Sequence, residues 1–270
     1  MDRYVVIGNP VAHSLSPEIH ARFAAATGES IDCSRLLVPR DRFAHDAGAF
    51  FAAGGKGANV TLPFKEEALA FAKVASERAR LAGAANFLAR RGDAIEADNT
   101  DGIGLVNDLA RLGVVLREAT VLLLGAGGAA RGVVAPLLVQ APAALHVANR
   151  TRDRAEALAA RFATLGTVIA HGLDEIPAAE FDLVVNATSS SVHGEALALP
   201  PHVLRPGVFA YDMAYGPSAR AFIERAESAG ARACDGLGML VEQAAESFSL
   251  WRGKRPDPAP VLAALRERYA

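Results

Sequence analysis

Two residues that could move a proton, Lys65 and Asp101, lie in the first part of the chain. Lys65 follows a strand-like segment that ends at Leu62-Pro63-Phe64, and Asp101 follows Asp98-Asn99-Thr100. A positioned ammonium can stabilise and protonate the oxygen anion that forms when a ketone is reduced. A carboxylate beside it would orient that ammonium. Taken singly, the two are better explained as a surface lysine and a helix cap. Only their setting in a two-lobed enzyme predicts an acid–base pair.

A glycine-rich turn in the middle of the chain predicts a dinucleotide site. The run from Gly125 to Ala130 fits the pattern G-x-G-x-x-A and directly follows the apolar strand Val121–Leu124. Glycines permit the tight turn and let backbone N–H groups approach a pyrophosphate at a helix N-terminus. In this strand-turn-helix setting the dinucleotide is favoured over a bare tight turn. The residues assigned to the pyrophosphate are Gly125, Ala126, Gly127, Gly128 and Ala129.

The end of the next predicted strand indicates which dinucleotide is bound. An NAD site places Asp or Glu there to hold the ribose 2′-hydroxyl. Here the chain has Asn149, Arg150 and Thr151, and the first acid, Asp153, is followed by Arg154. Guanidinium groups suit a 2′-phosphate, which they bind bidentately while keeping their charge. The position therefore favours NADP(H) over the alternative, a solvated run of charges that opens a helix.

Ser14 and Ser16 lie at the start of the first predicted helix. Two hydroxyls and free helix N–H groups make a small anion site suited to a carboxylate. From the residues alone, the simpler hypothesis is that Ser16 is the N-cap of this helix. No metal is predicted, because the histidines show no paired spacing; they are at positions 13, 20, 45, 146, 171, 193 and 202.

Composition limits the class of protein. The 270 residues carry 28 Lys and Arg against 30 Asp and Glu, for a formal charge of −2, which argues against nucleic acid as a partner. With 51% hydrophobic residues the chain can bury a core. The two cysteines match no disulfide framework or zinc spacing. Without a leader or a bilayer-spanning apolar run, we expect a cytoplasmic protein that does not bind membranes.

The order of elements predicts an α/β protein of two lobes with a cleft between them. Strands and helices alternate, and after residue 102 the pattern is that of a doubly wound, Rossmann-type parallel sheet. We expect residues 1–102, joined by the C-terminal helices 237–270, to form an α/β substrate domain. Residues 103–236 would form the NADP domain. One long helix is predicted over Phe64–Ser76.

In combination, these motifs resemble the shikimate dehydrogenase family from end to end. The matching segments share their order and spacing with that family; they are Ile7-Gly8-Asn9-Pro10, His13-Ser14-Leu15-Ser16-Pro17, Asn59 to Lys65, Gly83-Ala84-Ala85-Asn86, Asp98 to Gly102, Gly125 to Arg131, Asn149-Arg150-Thr151, Asn186-Ala187-Thr188-Ser189, Tyr211 to Tyr215 and Asp235 to Ala244. The resemblance implies reversible, NADPH-dependent reduction of 3-dehydroshikimate to shikimate, a step of aromatic amino-acid biosynthesis.

The resemblance also implies roles for individual residues. Lys65 would be the general acid and base, with Asp101 as its partner. The substrate would be bound at its carboxylate and hydroxyls by Ser14, Ser16, Thr61, Lys65, Asn86, Asp101, Tyr215 and Gln243. Besides the glycine turn and the Asn149, Arg150, Thr151 and Arg154 group, the cofactor residues would be Glu77, Thr188, Ser189, Met213 and Gly236. Departures from the family pattern occur at Phe87, Ser191 and Ser218-Ala219-Arg220.

Three alternatives stay open at this point. The first is a relative that acts on quinate or prefers NAD; Arg150 and Arg154 argue against NAD. The second is an NADP-binding sensor without turnover, for which Lys65 and Asp101 would have no use. The third is another two-lobed NADP enzyme, since a fold does not determine chemistry. The sequence is compatible with a monomer or a homodimer.

Overall fold

The computed structural model describes residues 1–188, 190 and 197–268, and the chain divides into two compact units. The first unit comprises Met1–Gly104 and Leu240–Ala270, and the second Leu105–Met239. The expected boundaries, 102 and 236, lie close to these. Among the described residues, none of the helices combines the length and the apolar character needed to cross a bilayer.

The first unit is built on a mixed six-stranded sheet. Its strands, in chain order, are β1 Asp2–Gly8, β2 Ile31–Leu37, β3 Gly57–Val60, β4 Val74–Ala75, β5 Phe87–Arg91 and β6 Ala94–Asp98. Their order in the sheet is β2-β1-β3-β5-β6-β4. β1 pairs in parallel with β2 and β3, whereas β5 is antiparallel to β3 and β6. β5 and β6 form an antiparallel hairpin that turns at Gly92-Asp93.

Helices cover both faces of this sheet. They are α1 Ser16–Thr27, α2 Phe43–Ala52, α3 Lys65–Phe71 and α4 Glu77–Ala82. Side chains alternate along a strand, so Val5 and Ile7 join the core beneath α2 and α3, while Tyr4 packs with Phe87 and Trp251 on the opposite face. A Cβ on Gly57 would lie 2.3 Å from the Trp251 indole nitrogen, so glycine is required beneath that ring.

Helix α5, Asp101–Arg111, carries the chain from the first unit into the second. The second unit contains a parallel sheet in the order β12-β11-β10-β7-β8-β9, the doubly wound arrangement predicted from the sequence. Its elements are β7 Thr120–Leu124, α6 Gly128–Val139, β8 Ala144–Asn149, α7 Arg152–Phe162, β9 Val168–Gly172, β10 Leu183–Asn186, β11 Phe209–Asp212, a 3-10 helix Gly216–Ala219, α8 Arg220–Ser228 and β12 Arg232–Asp235. Helix α9, Leu237–Arg252, returns the chain to the first unit, where α10, Ala259–Arg266, follows.

Two local predictions were wrong. The single helix expected over Phe64–Ser76 ends at Phe71, because the following residues extend and pair as β4 with β6. Ser76 instead caps a separate helix, α4, by accepting a hydrogen bond from the Ala79 N–H at 3.1 Å. Ser16 is the first residue of α1 and does not cap it with its side chain; Leu15 holds the N-cap position.

Candidate active site

The structure brings Lys65 and Asp101 together in the first unit. Each is the first residue of a helix, Lys65 of α3 and Asp101 of α5. The Lys65 Nζ lies 2.5 Å from Asp101 Oδ2, within charge-assisted hydrogen-bond range. The Lys65 side chain is 17% exposed and that of Asp101 is 8% exposed. The pair is therefore held mostly out of solvent, where each charge depends on the other.

Asn86 holds the other oxygen of the Asp101 carboxylate. Its Nδ2 donates to Asp101 Oδ1 at 2.8 Å and to Thr100 Oγ1 at 2.9 Å. Its Oδ1 accepts from the backbone N–H of Thr100 at 2.8 Å, and this donor determines which way the amide faces. Asn86 is buried directly before the β5 strand, so the strand fixes the amide in front of the ion pair.

Gln243, on α9, completes the polar group in the first unit. Its Oε1 accepts from Asn86 Nδ2 and from Thr100 Oγ1, each at 3.2 Å. Its Nε2 donates to the Leu240 carbonyl at 2.9 Å, which orients the amide. Four of the predicted substrate residues, Lys65, Asn86, Asp101 and Gln243, thus form one connected cluster of hydrogen bonds.

Ser14 and Ser16 lie together at the start of α1. The Ser14 hydroxyl donates to Ser16 Oγ at 3.2 Å and accepts from the Ser16 N–H at 3.3 Å. Arg35 on the neighbouring β2 strand donates to the Ser14 carbonyl at 2.6 Å and holds this turn. Thr61, the remaining first-unit residue of the predicted set, follows β3, and its backbone N–H donates to the Ile7 carbonyl at 2.9 Å.

The glycine turn of the second unit has the backbone that a pyrophosphate site needs. Gly125 has a φ of +106°, and a Cβ there would lie 3.2 Å from the Ala187 backbone. A Cβ on Gly127 would meet no atom within 4 Å, so this N-cap position of α6 opens into free space. Gly128 begins the twelve-residue helix, with Ala126 and Ala129 on either side of the Gly127-Gly128 pair. An open glycine at a helix N-terminus fits a bound phosphate.

The chain after β8 carries two arginines that are free to meet a 2′-phosphate. Arg150 and Arg154 are exposed and make no ion pair among the described residues, whereas the neighbouring Arg152 is bound to Glu156 at 2.8 Å and Glu175 at 2.5 Å. Asn149 Nδ2 donates to the Thr151 carbonyl at 2.8 Å and closes this turn. No acid stands at the end of the strand, where an NAD site would have one.

Further predicted cofactor residues gather at the carboxyl ends of β10 and β11. Thr188 Oγ1 donates to Asn186 Oδ1 at 2.7 Å, and Asn186 Nδ2 donates to Asp212 Oδ2 at 2.9 Å. Met213 and Gly236 adjoin, since a Cβ on Gly236 would lie 2.4 Å from the Met213 carbonyl oxygen. Ligands of doubly wound sheets bind outside these strand ends.

Three predicted residues, Ser189, Tyr215 and Glu77, complete the set. Ser189 lies outside the described residues, as does the departure at Ser191. Tyr215, half-buried, is the N-cap of the 3-10 helix in the second unit. Glu77, which is exposed, opens α4 in the first unit.

Sequence reasoning missed the buried polar residues behind the Lys65–Asp101 pair. Thr100 and Ser247 are fully buried, and Ser247 Oγ lies 3.2 Å from Thr100 Oγ1. Asn59 and His20 extend this chain further into the unit. The signal in the sequence was Ser247 one helical turn after Gln243, a polar pair on a helix face otherwise made of Ala244, Ala245 and Phe248. The described residues contain no group of three or more metal-binding side chains.

Three family models match successive parts of the chain. Residues 6–88 match "Shikimate dehydrogenase substrate binding domain". Residues 108–194 match "Shikimate / quinate 5-dehydrogenase". Residues 236–266 match "Shikimate 5'-dehydrogenase C-terminal domain". The matched segments lie in both units described above.

Whole-chain similarity extends to relatives and to solved structures. A shikimate dehydrogenase (NADP(+)) from Acidovorax sp. (strain JS42) is 54% identical over 274 residues, covering 100% of this chain and 97% of its own. The crystal structure of an Ael1 enzyme from Pseudomonas putida has 44% identity and a TM-score of 0.92, covering 98% of both chains. The shikimate 5-dehydrogenase of Thermus thermophilus, crystallised with NADP(H) and shikimate, has 34% identity and a TM-score of 0.86, covering 99% of both chains.

Proposed function

The chain belongs to the shikimate dehydrogenase family, and we propose that it performs the NADPH-dependent, reversible reduction of 3-dehydroshikimate to shikimate, with Lys65 as general acid and base and Asp101 as its partner. The observation that carries this assignment is the 2.5 Å contact between Lys65 Nζ and Asp101 Oδ2, buried beside Asn86 and Gln243. The reaction belongs to the biosynthesis of chorismate and the aromatic amino acids.

Lys65 moves the proton in this proposal. NADPH supplies the hydride when it is bound, and the ketone oxygen then carries negative charge. The Lys65 ammonium stabilises that charge and donates its proton to the oxygen; in the reverse direction the neutral amine accepts the proton from the hydroxyl. Asp101 keeps the ammonium pointed at the reacting oxygen, because Asn86 fixes the carboxylate from its other side. The Ser14 and Ser16 hydroxyls bind the substrate carboxylate, and Thr61, Asn86 and Gln243 hold the ring hydroxyls together with Lys65 and Asp101.

The second unit fits NADP(H). The residues that would hold the pyrophosphate are Gly125 to Ala129, where the open position of Gly127 leaves room at the N-terminus of α6. Arg150 and Arg154, with Asn149 and Thr151, would hold the 2′-phosphate, because both guanidinium groups are exposed and make no ion pair among the described residues. Thr188, Met213 and Gly236 would lie along the nicotinamide half, and the family resemblance assigns Ser189 and Glu77 to the cofactor as well.

The proposal is tested by absorbance at the nicotinamide band, with shikimate and quinate each assayed against NADP⁺ and NAD⁺. We expect reduction with shikimate and NADP⁺ only. Turnover of quinate, or turnover with NAD⁺, would make the protein a dehydrogenase of broader specificity. No turnover in any of the four assays, with protein that still binds NADPH, would indicate an NADP-binding sensor and not an enzyme. A cytoplasmic site of action and a monomeric or homodimeric state stay predictions.

A further inference from the structure

A chain of buried hydrogen bonds runs from the Lys65–Asp101 pair to a histidine in α1. His20 has no exposed surface, and its Nε2 lies 2.8 Å from Asn59 Oδ1. Asn59 Nδ2 donates to Ser247 Oγ at 3.0 Å, and Ser247 Oγ lies 3.2 Å from Thr100 Oγ1. Thr100 in turn contacts Asn86 and Gln243. All of these residues belong to the first unit.

The direction of each bond in this chain follows from its neighbours. Asn59 Nδ2 also faces the backbone carbonyl of Asn86 at 3.3 Å, and a carbonyl can only accept, so the Asn59 oxygen must face His20. An amide oxygen only accepts as well, so His20 carries its proton on Nε2. Ser247 Oγ already accepts from Asn59, and its own hydrogen is therefore free to point at Thr100 Oγ1.

His20 is well placed to keep this direction constant. Its ring is enclosed by aromatic side chains, with centroids 5.0 Å from that of Trp251 and 6.3 Å from those of Phe23 and Phe248. Burial lowers the pKa of His20 to about 4, an effect that the bond to Asn59 opposes. The imidazole is neutral at physiological pH and holds one hydrogen, and its Nδ1 has no hydrogen-bond partner among the described residues.

We propose that His20 and Ser247 are positioning residues for the Lys65–Asp101 pair. With Ser247 donating to it, Thr100 Oγ1 points its own hydrogen at Gln243 Oε1 and accepts one Asn86 Nδ2 hydrogen on its remaining lone pair, which leaves the second Asn86 hydrogen for Asp101 Oδ1. The Asn86 hydrogen then stays on Asp101, and the carboxylate stays in line with Lys65 Nζ. His20 holds the far end of the chain, because its Nε2–H satisfies the buried Asn59 oxygen and so reinforces the orientation in which Asn59 Nδ2 donates to Ser247 Oγ and to the Asn86 carbonyl. The inference rests on the proposed function.

The test compares two substitutions of His20, each of which keeps one of its two properties, the aromatic ring or the hydrogen-bond donor, and removes the other. His20→Phe keeps an aromatic ring but removes the donor, whereas His20→Gln keeps an amide donor but removes the ring. Ser247→Ala removes the middle bond with little change in volume, and Ser249→Ala, two residues later on the same helix and half-buried, is its matched control. The measurements are kcat, the KM for NADPH, and the isotope effect on kcat with NADPH deuterated at the transferred position.

We expect His20→Phe and Ser247→Ala to lower kcat about tenfold, the order expected for a misplaced catalytic group, and to raise the isotope effect because the chemical step becomes slower. The KM for NADPH should change less than about twofold, because neither residue lies in the unit that would bind the cofactor. His20→Gln and Ser249→Ala should resemble wild type. Ser247→Ala is the safeguard should His20→Phe fail to fold.

Two results would overturn the proposal. A His20→Phe enzyme that matches wild type while His20→Gln is impaired would show that aromatic packing alone matters at this position. A Ser247→Ala enzyme with unchanged kcat would show that the middle bond has no influence on the ion pair. An inactive wild type would instead refute the proposed function itself.

Discussion

Removing Lys65 should separate the stability of the ion pair from its chemistry. At the observed 2.5 Å, and with an effective dielectric constant of about 20, the two charges attract each other by about 7 kcal/mol. Withdrawing each ion from water costs several kcal/mol, so the intact pair contributes little net stability. Lys65→Met leaves the Asp101 carboxylate, 8% exposed, with its desolvation cost and without its cation.

The expected losses of stability differ between the two single variants. A stranded buried charge costs about 3–5 kcal/mol, and at about 2–4 °C per kcal/mol a loss of about 3 kcal/mol lowers Tm by about 6–12 °C. Asp101→Asn strands the more exposed lysine, which is 17% exposed, so its loss should be smaller. The double variant Lys65→Met with Asp101→Asn carries neither charge, and it should recover most of the stability that Lys65→Met loses.

Activity should not recover with stability. Lys65→Met and the double variant should both lower kcat at least about 100-fold, since general acid–base catalysis contributes about 10²–10⁴. Thermal unfolding and initial rates are measured on the same preparations, with Lys73→Met, a lysine of the first unit outside the polar cluster, as the control. A Lys65→Met enzyme that keeps more than about a tenth of wild-type kcat would refute the acid–base role. If the double variant is no more stable than Lys65→Met, then the unpaired Asp101 carboxylate is not the cause of the stability that Lys65→Met loses.

Three further predictions test the second unit and the buried histidine. Arg150→Ala should raise the KM for NADPH about tenfold, because a charge-assisted hydrogen bond is worth about 1.5–3 kcal/mol, and it should leave the KM for NADH unchanged. The control is Arg117→Ala, which removes another exposed arginine. Equal effects of Arg150→Ala on both cofactors would contradict its assignment to the 2′-phosphate. Gly236→Ala should lower the Tm measured by calorimetry, because its Cβ would lie 2.4 Å from the Met213 carbonyl oxygen. Gly127→Ala, whose Cβ meets no atom within 4 Å, should leave Tm unchanged but weaken NADPH binding measured by titration. A Gly127→Ala protein with a lower Tm and unchanged NADPH binding would disprove the assignment of this glycine to the cofactor. His20 has a pKa of about 4 in the folded protein against 6.5 in the unfolded chain, so the unfolded chain binds its proton first as the pH falls. About 3 kcal/mol of folding stability that is present above pH 6.5 is therefore lost as the pH falls toward 4. Urea unfolding should show that His20→Phe loses less stability than wild type over this pH range, and an equal loss in both proteins would be evidence against the prediction.

The doubly wound sheet could be predicted because its signals are local. β7 is a continuous apolar run, as expected for a strand buried on both faces, and Gly125 follows it at once. The strand predicted over Val121–Leu124 is observed over Thr120–Leu124, one residue longer, and the observed strand order is that of the predicted fold. Each strand carried enough hydrophobic pattern to be found by itself.

The error at Phe64–Ser76 came from a strand too short to have a pattern. β4 has two residues, Val74 and Ala75, and its stability comes from β6, which lies later in the chain beyond α4 and β5. Without a strand pattern of their own, these two residues are predicted as the end of the helix that precedes them. Pairing with a strand formed elsewhere in the sequence decided the outcome.

The hydrogen bonds behind the site were out of reach for the same reason. Ser247 and Asn59, which are hydrogen-bonded, are 188 residues apart, and Thr100 and Gln243 are 143 apart. A buried serine, threonine or asparagine has no periodic signature that names its partner. Their types indicated only that each would need one, because buried polar groups are hydrogen-bonded.

The location of Lys65 shows where chemistry outweighs local preference. The N-terminus of a helix attracts anions and repels cations, so Asp101 at the start of α5 agrees with its helix, whereas Lys65 at the start of α3 does not. Helix α3 has only seven residues, and Glu66 and Glu67 in its first turn already satisfy the preference for acids. Folding alone therefore gives no reason for a lysine at this position, and the Asp101 carboxylate is what offsets its cost. A residue that departs from the local rule and depends on one buried partner is expected at a functional site, and this supports the acid–base role proposed for Lys65.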